Sequence, residues 1–384
     1  VTPQDVIMNR EYPDVIARTY SNFDTHGQTV GAQFFIEAPH AAKPITVNLP
    51  YGCILPKKTD GLLVIGLGMS AHRDAMPILR MQPDVQNQGF VAGTAAAMSV
   101  RAGVAPRAID VKALQKQMIE KGILDESVLT LKDSFPLSDA TLAQAAKTID
   151  DGYKGLAELL TDPARAIPLL KQNAGLPSAH VLAMLGDGTK AQQLADVVAA
   201  TNAWDEGWNY RGMGQFGRSV SWLDSYAIAL GRTRAKEAFG PLKRMAVRLM
   251  PFDEYSHFRA MALAFEALGD ARAKEVLSDL LRMPGVGGHA FDYDKDGAPR
   301  MPRYDVYNFS GQGAKRGRKG PSVPDYERTL CLRELSLARA LYNLGDDAAK
   351  VKVALLKGRG NYLCLRAVAD FFAAGFWTMS AEEQ

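Results

Sequence analysis

The sequence of 384 residues has little of several features that would assign a protein class at once. Its three cysteines (Cys53, Cys331 and Cys364) lie far apart, with no C-x-x-C pair and no histidine at zinc-ligand spacing. Such a set indicates neither a disulfide framework nor a metal site. Its 45 Lys and Arg against 42 Asp and Glu give a net charge of +3, too small an excess to indicate nucleic-acid binding. The longest apolar runs fall short of the roughly 20 residues that span a bilayer, so no membrane helix is predicted.

Hydrolase and export signals are also missing. The sequence has no Ser-His-Asp order, no nucleophile elbow and no H-E-x-x-H motif, which leaves hydrolase functions without support. The first residues show no charged segment followed by an apolar one. Thr2-Pro3-Gln4-Asp5 instead predicts a helix start, with a Thr cap, Pro at the first helical position and an acid at the third. A chain that opens inside a regular element is interpreted as a processed or partial product, and its compartment stays open.

The composition, with 47% hydrophobic and 23% charged residues, is that of a globular protein long enough for two domains. The pattern changes near residues 105–130. Before this point, residues 30–37, 45–48 and 62–65 predict short strands bounded by turn residues. A helix of small residues is predicted from about Gly89 to Ala102, and its lack of bulk would let its backbone approach a sheet or a ligand.

After about residue 130 amphipathic helices dominate, and a helix–glycine–helix pattern repeats. The repeats are marked by Leu185-Gly186, Leu230-Gly231, Leu268-Gly269 and Leu344-Gly345. Their spacings of 45, 38 and 76 residues, the last being twice 38, are typical of HEAT or armadillo arrays. Because glycine readily takes the left-handed conformation that ends a helix, each of these glycines is predicted at a helix end. The predicted fold is therefore α/β for residues 1–125, followed by an α-solenoid for residues 126–384 with a long insert at about 284–325.

The insert contains two motifs with competing interpretations. Asp292-Tyr-Asp294-Lys-Asp296-Gly297 spells half of a calcium loop, but Arg303 stands where a bidentate Glu is required, so an EF-hand is excluded. A looser calcium site and a solvated acidic loop remain open. The basic cluster Lys315–Lys319 is either solvated or contacts an anionic partner, and no aromatic residues are interleaved with it to stack on nucleic acid.

Two histidines are candidate general acids or bases. His26 and His72 both stand in loops beside predicted strands, whereas His180 falls on a predicted helix and is interpreted as structural. The nearby Gly66-Leu-Gly68-Met-Ser-Ala71 has dinucleotide-fingerprint spacing. The polar segment around Asp84 is not the second strand that a first βαβ unit requires, so this unit of a Rossmann fold is rejected.

Taken together, residues 50–105 resemble the C-terminal part of the flavin-binding domain of FAD-dependent oxidoreductases related to the glutathione-reductase type. The resemblance rests on Pro50-Tyr-Gly-Cys-Ile-Leu-Pro-Lys57, Gly61-Leu-Leu-Val-Ile-Gly66, Ser70-Ala-His72, Arg80 and Gln88-Gly-Phe-Val-Ala-Gly-Thr-Ala-Ala-Ala97. Weaker similarity in residues 10–27 and 106–115 extends it over roughly the first 125 residues. Some members of the family carry helical repeats after the flavin domain, in agreement with the predicted solenoid.

The resemblance implies FAD as cofactor and names the residues near it. The flavin-contact candidates are Gly66, Gly68, Met69, Ser70, Arg80, Asn87, Gln88 and Gly89. The helix near Gly89 is expected to direct its N-terminus at the flavin, because free N–H groups there stabilise the negative charge of a reduced flavin. The resemblance implies a substrate-side or flavin-side role for His72, and His72 or His26 is expected to act as the base that assists hydride transfer.

Two departures from the family pattern stand out. Leu67 occupies the position where many relatives have Arg, and the family's N-terminal G-x-G-x-x-G, which holds the FAD pyrophosphate, is missing. A second polypeptide is therefore expected to complete the flavin domain. The leading hypothesis is one chain of a split FAD enzyme that oxidises a small organic substrate by hydride transfer. The alternatives are a non-catalytic HEAT-type scaffold and a calcium-dependent binder of polyanions or glycans.

Overall fold

The computed structural model describes residues 1–23, 25, 28–38, 44–210, 217–289 and 323–345, and of residues 323–328 it describes the backbone alone. His26, the acidic motif of residues 292–296, the basic cluster of residues 315–319 and Cys364 lie outside these ranges, as does most of the predicted insert. The interpretations of these features stay predictions.

The N-terminal part is built on a two-stranded antiparallel sheet and one long helix. Its elements are α1 (Pro3–Ile7), β1 (Val15–Ser21), α2 (Ala32–Ile36), β2 (Ile45–Pro50), α3 (Met76–Leu79), α4 (Gln82–Ala102) and α5 (Val111–Glu120). Thr19 pairs with Val47 and Ala17 with Leu49, and the register shifts between Val15 and Ala17. The start of α1 has the predicted capping, because Thr2 and Asp5 form a reciprocal capping box.

Further helices follow in the described part of the chain. They are α6 (Asp139–Thr148), α7 (Leu156–Leu159), α8 (Pro163–Leu170), α9 (Leu176–Met184), α10 (Ala191–Ala200), α11 (Trp222–Arg232), α12 (Phe239–Ala246), α13 (Tyr255–Leu268), α14 (Ala273–Arg282) and α15 (Val323–Asn343). One layer contains α9, α11, α13 and α15, each packed on the next, and α10, α12 and α14 lie along it as the second layer.

Two hydrophobic cores correspond to these parts. The first joins β1 and β2 to α3, α4 and α5 through residues such as Leu49, Ile78 and Val91. The second lies between the helices of the two layers. The short helix α2 belongs to both, because Phe34 packs into the first core while Phe35 and Ile36 pack into the second.

Several predicted elements were wrong or shifted. Residues 30–37 contain helix α2 rather than a strand. Residues 62–65 form no strand, and Val64 makes a single backbone bond there, from its N–H to the carbonyl of Ile54. The small-residue helix begins at Gln82, seven residues before the predicted start. The strand predicted at residues 45–48 is confirmed as part of β2.

The glycines of the repeat pattern divide in the same way. Gly186, Gly269 and Gly345 have positive φ at helix ends, as predicted. Gly231 is inside α11, and a Cβ on it would lie 2.2 Å from the carbonyl oxygen of Ala264. Its role is therefore the close approach of α11 to α13.

Candidate functional site

The loop of residues 66–70 lies against the first half of α4, and Gln88 holds the two together. The Gln88 side chain is buried, its Oε1 accepts from the N–H of Gly66 at 2.9 Å, and its Nε2 donates to the carbonyl of Leu79 at 2.8 Å. Gly66 has a φ of +63° and begins a 3₁₀ turn that ends at Gly68. Because its amide oxygen and its amide nitrogen both bind the backbone, Gln88 fixes the loop at Gly66 against α4. The flavin contact predicted for Gln88 stays a prediction.

The other flavin-contact candidates divide by exposure. Gly68, Ser70 and Asn87 are exposed, Gly89 is partly buried, and Met69 is buried. Arg80 caps the C-terminal end of α3. The structure thus brings the exposed loop residues near the beginning of α4.

The N-terminus of α4 differs from the expectation. The helix begins at Gln82, so Gly89 lies in its third turn and the amides around it belong to the helix. Asp84 occupies the first turn, and its pKa is raised to about 6 mainly by burial, against a hydrogen bond from the backbone of Tyr20. Because the helix begins seven residues before Gly89, the expectation that free N-terminal amides at Gly89 interact with a flavin is corrected.

One face of α4 is apolar and open. The 16 residues from Val85 to Val100 contain no charged side chain. Phe90 is 47% exposed and Val100 82% exposed, and Leu67 beside the helix start is 65% exposed. A Cβ on Gly93 would meet nothing within 4 Å. We name Leu67, Phe90, Gly93 and Val100 the α4 face. Its apolar area, with the exposed polar Asn87 on the same helix, suits a flavin, whose ring system has apolar faces and a polar edge.

His72 lies beside Gly31 and is not part of the α4 face. Its Nδ1 accepts a hydrogen bond from the backbone N–H of Asp74 at 3.1 Å, which assigns the proton of the neutral ring to Nε2. Burial lowers the pKa of His72, and the negative charge of Asp74 offsets part of this effect. A Cβ on Gly31 would lie 3.4 Å from Cε1 of His72. The ring is therefore a neutral hydrogen-bond donor at Nε2 as long as the Asp74 bond is made.

Two further histidines are buried among the helices. His180 in α9 has Nδ1 2.9 Å from the Tyr153 hydroxyl and Nε2 3.0 Å from Oγ of Ser225, and burial lowers its pKa to about 3. His257 in α13 forms a buried pair with Asp224. No motif marked this pair in the sequence, because its partners lie 33 residues apart on different helices.

Neither a metal site nor a complete dinucleotide fingerprint emerges from the described residues. No cluster of three or more His, Cys, Asp or Glu side chains there could hold a metal ion. Gly212, Gly214 and Gly217 have the G-x-G-x-x-G spacing, which sequence reasoning missed. Residues 201–210 before them form no strand, so the βαβ context of the fingerprint is lacking. No described helix has the length and apolar character needed to cross a membrane.

Comparison with known proteins identifies the N-terminal part. The model of the family described as FAD dependent oxidoreductase matches residues 1–118, which contain α4, the loop of residues 66–70 and His72. No curated protein and no solved structure matches the chain. The chain thus carries an FAD-dependent oxidoreductase region at residues 1–118, and FAD is its cofactor.

Proposed function

We propose that this chain is one part of a split FAD-dependent oxidoreductase, completed by a second polypeptide that carries the pyrophosphate-binding loop. The reaction proposed is the oxidation of a small organic substrate by hydride transfer to flavin. The observation that carries this proposal is the uncharged, exposed α4 face inside a region that matches a flavoenzyme family.

The α4 face supports a missing neighbour because surface helices normally carry charged residues on their outer side. The described part of residues 1–118 contributes only two paired strands, which lie on the other side of α4 in the first core. A sheet brought by the second polypeptide would cover Phe90 and Val100, and Gly93 would let the two backbones approach closely.

The same residues suggest how this chain would hold the cofactor. The loop of residues 66–70 and the exposed Asn87 would contact the flavin. Gln88, which accepts from the N–H of Gly66, would keep Gly66 in its left-handed conformation. When bound, FAD supplies the acceptor for a hydride.

His72 is the residue proposed to act on the substrate. Its Nε2–H would donate a hydrogen bond to a substrate oxygen and so fix the orientation of the carbon that loses hydride. To accept a proton at Nε2, the ring would have to change tautomer and release the N–H of Asp74. His26 stays a second candidate, since it lies outside the described residues.

The helices after residue 126 are proposed to form a HEAT-like array. Support comes from the two layers, the stacking of α11, α13 and α15, and the left-handed glycines at helix ends. The contacts of Ser219 with Thr29 and of Arg218 with Phe35 support a position of this array beside the His72 loop, where it would form a wall of the site.

The test is to isolate the complex under native conditions and to record its visible spectrum and intact mass. We expect one flavin per complex, a second polypeptide with a G-x-G-x-x-G loop after a strand, and no flavin on this chain when it is separated. Stoichiometric flavin on the isolated chain would contradict the split site. A colourless complex would favour the scaffold function instead.

A further inference from the structure

A short segment, Gln28–Gly31, has its backbone groups bound by side chains from both halves of the molecule. From the N-terminal half, Oδ2 of Asp74 accepts from the N–H of Val30 at 2.9 Å and from the N–H of Gly31 at 2.6 Å. Arg73 donates to the carbonyl of Gln28 and also contacts Asp74. Asp74 is fully buried, and its backbone N–H is the group that binds His72.

The helical half binds the same segment at Thr29. Arg259 of α13 donates from Nη2 to the carbonyl of Thr29. Ser219 accepts from the N–H of Thr29 at 3.3 Å, and the two hydroxyls lie 3.0 Å apart. Thr29, Ser219 and Arg259 are all buried, so none of these groups can exchange its partner for water without local opening.

The burial of Arg259 is unfavourable for packing alone. Its Nη1 is buried and has no hydrogen-bond partner among the described residues, and burial lowers the pKa of its guanidinium. A guanidinium kept in such surroundings costs desolvation energy that an apolar side chain of similar volume would avoid. The compensating contacts are the carbonyl of Thr29 and the ring of Phe35, whose centroid is 5.4 Å away.

We infer that Arg259 is a positioning residue for His72, acting through Thr29 and Asp74 across the boundary between the two halves. Arg259 fixes Thr29, the following amides of Val30 and Gly31 fix the carboxylate of Asp74, and Asp74 fixes the ring of His72. Gly31 allows this arrangement, because a Cβ there would lie 3.0 Å from Oδ2 of Asp74. The inference rests on the proposed function only in assigning His72 to the reaction.

Arg232 offers a matched control. It is partly buried, and its guanidinium lies over the same Phe35 ring, 5.5 Å from the ring centroid. Its hydrogen bond goes to the carbonyl of Met184 instead of the Gln28–Gly31 segment. Replacing either arginine removes a cation that lies over the Phe35 ring, but only the replacement of Arg259 releases Thr29.

The test compares Arg259→Met with Arg232→Met in the full 384-residue chain. Hydrogen exchange at the amides of Val30 and Gly31 is expected to become about tenfold faster in Arg259→Met and to stay unchanged in Arg232→Met. The ¹⁵N NMR signals of the His72 ring should show an unprotonated Nδ1 in the wild type and averaged tautomers in Arg259→Met. Arg259→Lys, which can still donate to Thr29, should restore part of both signatures.

Equal effects of the two arginine substitutions, or no effect of Arg259→Met on these signals, would overturn the inference. If Arg259→Met fails to fold, Ser219→Ala removes the other contact with Thr29 and is read by the same two measurements. None of these readouts needs flavin. Faster exchange in the Arg259→Met chain, together with a native complex that holds no flavin, would refute only the proposed function. Unchanged signals, together with a native complex that holds flavin, would refute only the positioning role.

Discussion

Nδ1 of His257 and Oδ1 of Asp224 lie 2.7 Å apart in the core between α11 and α13, with both side chains fully buried. Nε2 of the same ring lies 3.1 Å from the carbonyl oxygen of Asp205 and 3.5 Å from a carboxylate oxygen of Glu254. Since these partners are all acceptors, the ring donates from both nitrogens and is an imidazolium ion. The ring of Trp204 stacks on it, with the two ring centroids 4.4 Å apart. The imidazolium ion thus holds the segment before α11 against α13.

The pair predicts a loss of stability at alkaline pH. Burial alone would lower the pKa of His257, but the hydrogen bond and negative charge of Asp224 outweigh it and raise that pKa, with Glu254 and Asp205 adding to the effect. A raised pKa gives a contribution that is complete below about pH 6.5, the unfolded value, and that disappears as pH rises through the folded pKa. The expected loss is at most about 1.4 kcal/mol per pH unit. Urea unfolding between pH 6 and pH 9 measures it, and His257→Gln should remove this part of the slope.

His180 predicts the opposite dependence. Its folded pKa of about 3, set by burial and by the positive charge of Arg218 against a hydrogen bond with Ser225, is far below the unfolded value. His180 therefore binds a proton in the unfolded chain at a pH at which it stays neutral in the folded chain, and stability falls as pH drops below about 6.5. In urea unfolding between pH 7 and pH 4, we expect His180→Gln to show a shallower acid slope than the wild type. Identical slopes would mean that His180 is protonated in the folded state.

Gln88 and Asn87 are adjacent flavin-contact candidates, but their replacement is expected to change the free energy of unfolding by very different amounts. Gln88→Leu leaves the Gly66 N–H and the Leu79 carbonyl without partners, which should reduce the free energy of unfolding by about 2–4 kcal/mol. Asn87→Leu changes an exposed side chain and should alter it by no more than about 0.5 kcal/mol. Thermal and urea unfolding of the isolated chain separate the two. A large destabilisation from Asn87→Leu would show that Asn87 is also structural and is no free flavin contact.

Local signals in the sequence were enough for the elements that depend on local chemistry. The capping residues Thr2 and Asp5 predicted the start of α1, and the alternating residues 45–48 predicted β2. Three of the four repeat glycines end their helices as expected, because a left-handed residue there is a local requirement. The loop of residues 66–70 was predicted as a flavin contact from the family resemblance and not from a periodic pattern.

Elements shaped by distant contacts could not be predicted. Residues 30–37 looked like a strand because Phe34, Phe35 and Ile36 are consecutive and apolar, yet they form a helix whose residues enter two different cores. Gly231 looked like a helix end, but its requirement comes from Ala264, 33 residues away. Thr29 binds Ser219, 190 positions later, and Arg259, 230 positions later. Contacts over such separations leave no local pattern in the sequence.

The α4 face gives the most direct prediction about the second polypeptide. Val100, near the C-terminal end of α4, and Val247, which caps α12, are both strongly exposed, at 82% and 63%. An aspartate at either position adds a negative charge near a helix C-terminus, which costs a similar few tenths of a kcal/mol in the isolated chain. The two substitutions therefore have a similar effect on stability and differ only in the surface that they change.

Val100→Asp would place a charge in an apolar contact and should abolish both assembly and bound flavin, whereas Val247→Asp should preserve them. Native mass and the 450 nm absorbance of the isolated complex measure both effects. If the Val100→Asp chain assembles and binds flavin like the wild type, the second polypeptide does not cover α4, and the proposed completion of the flavin domain is wrong.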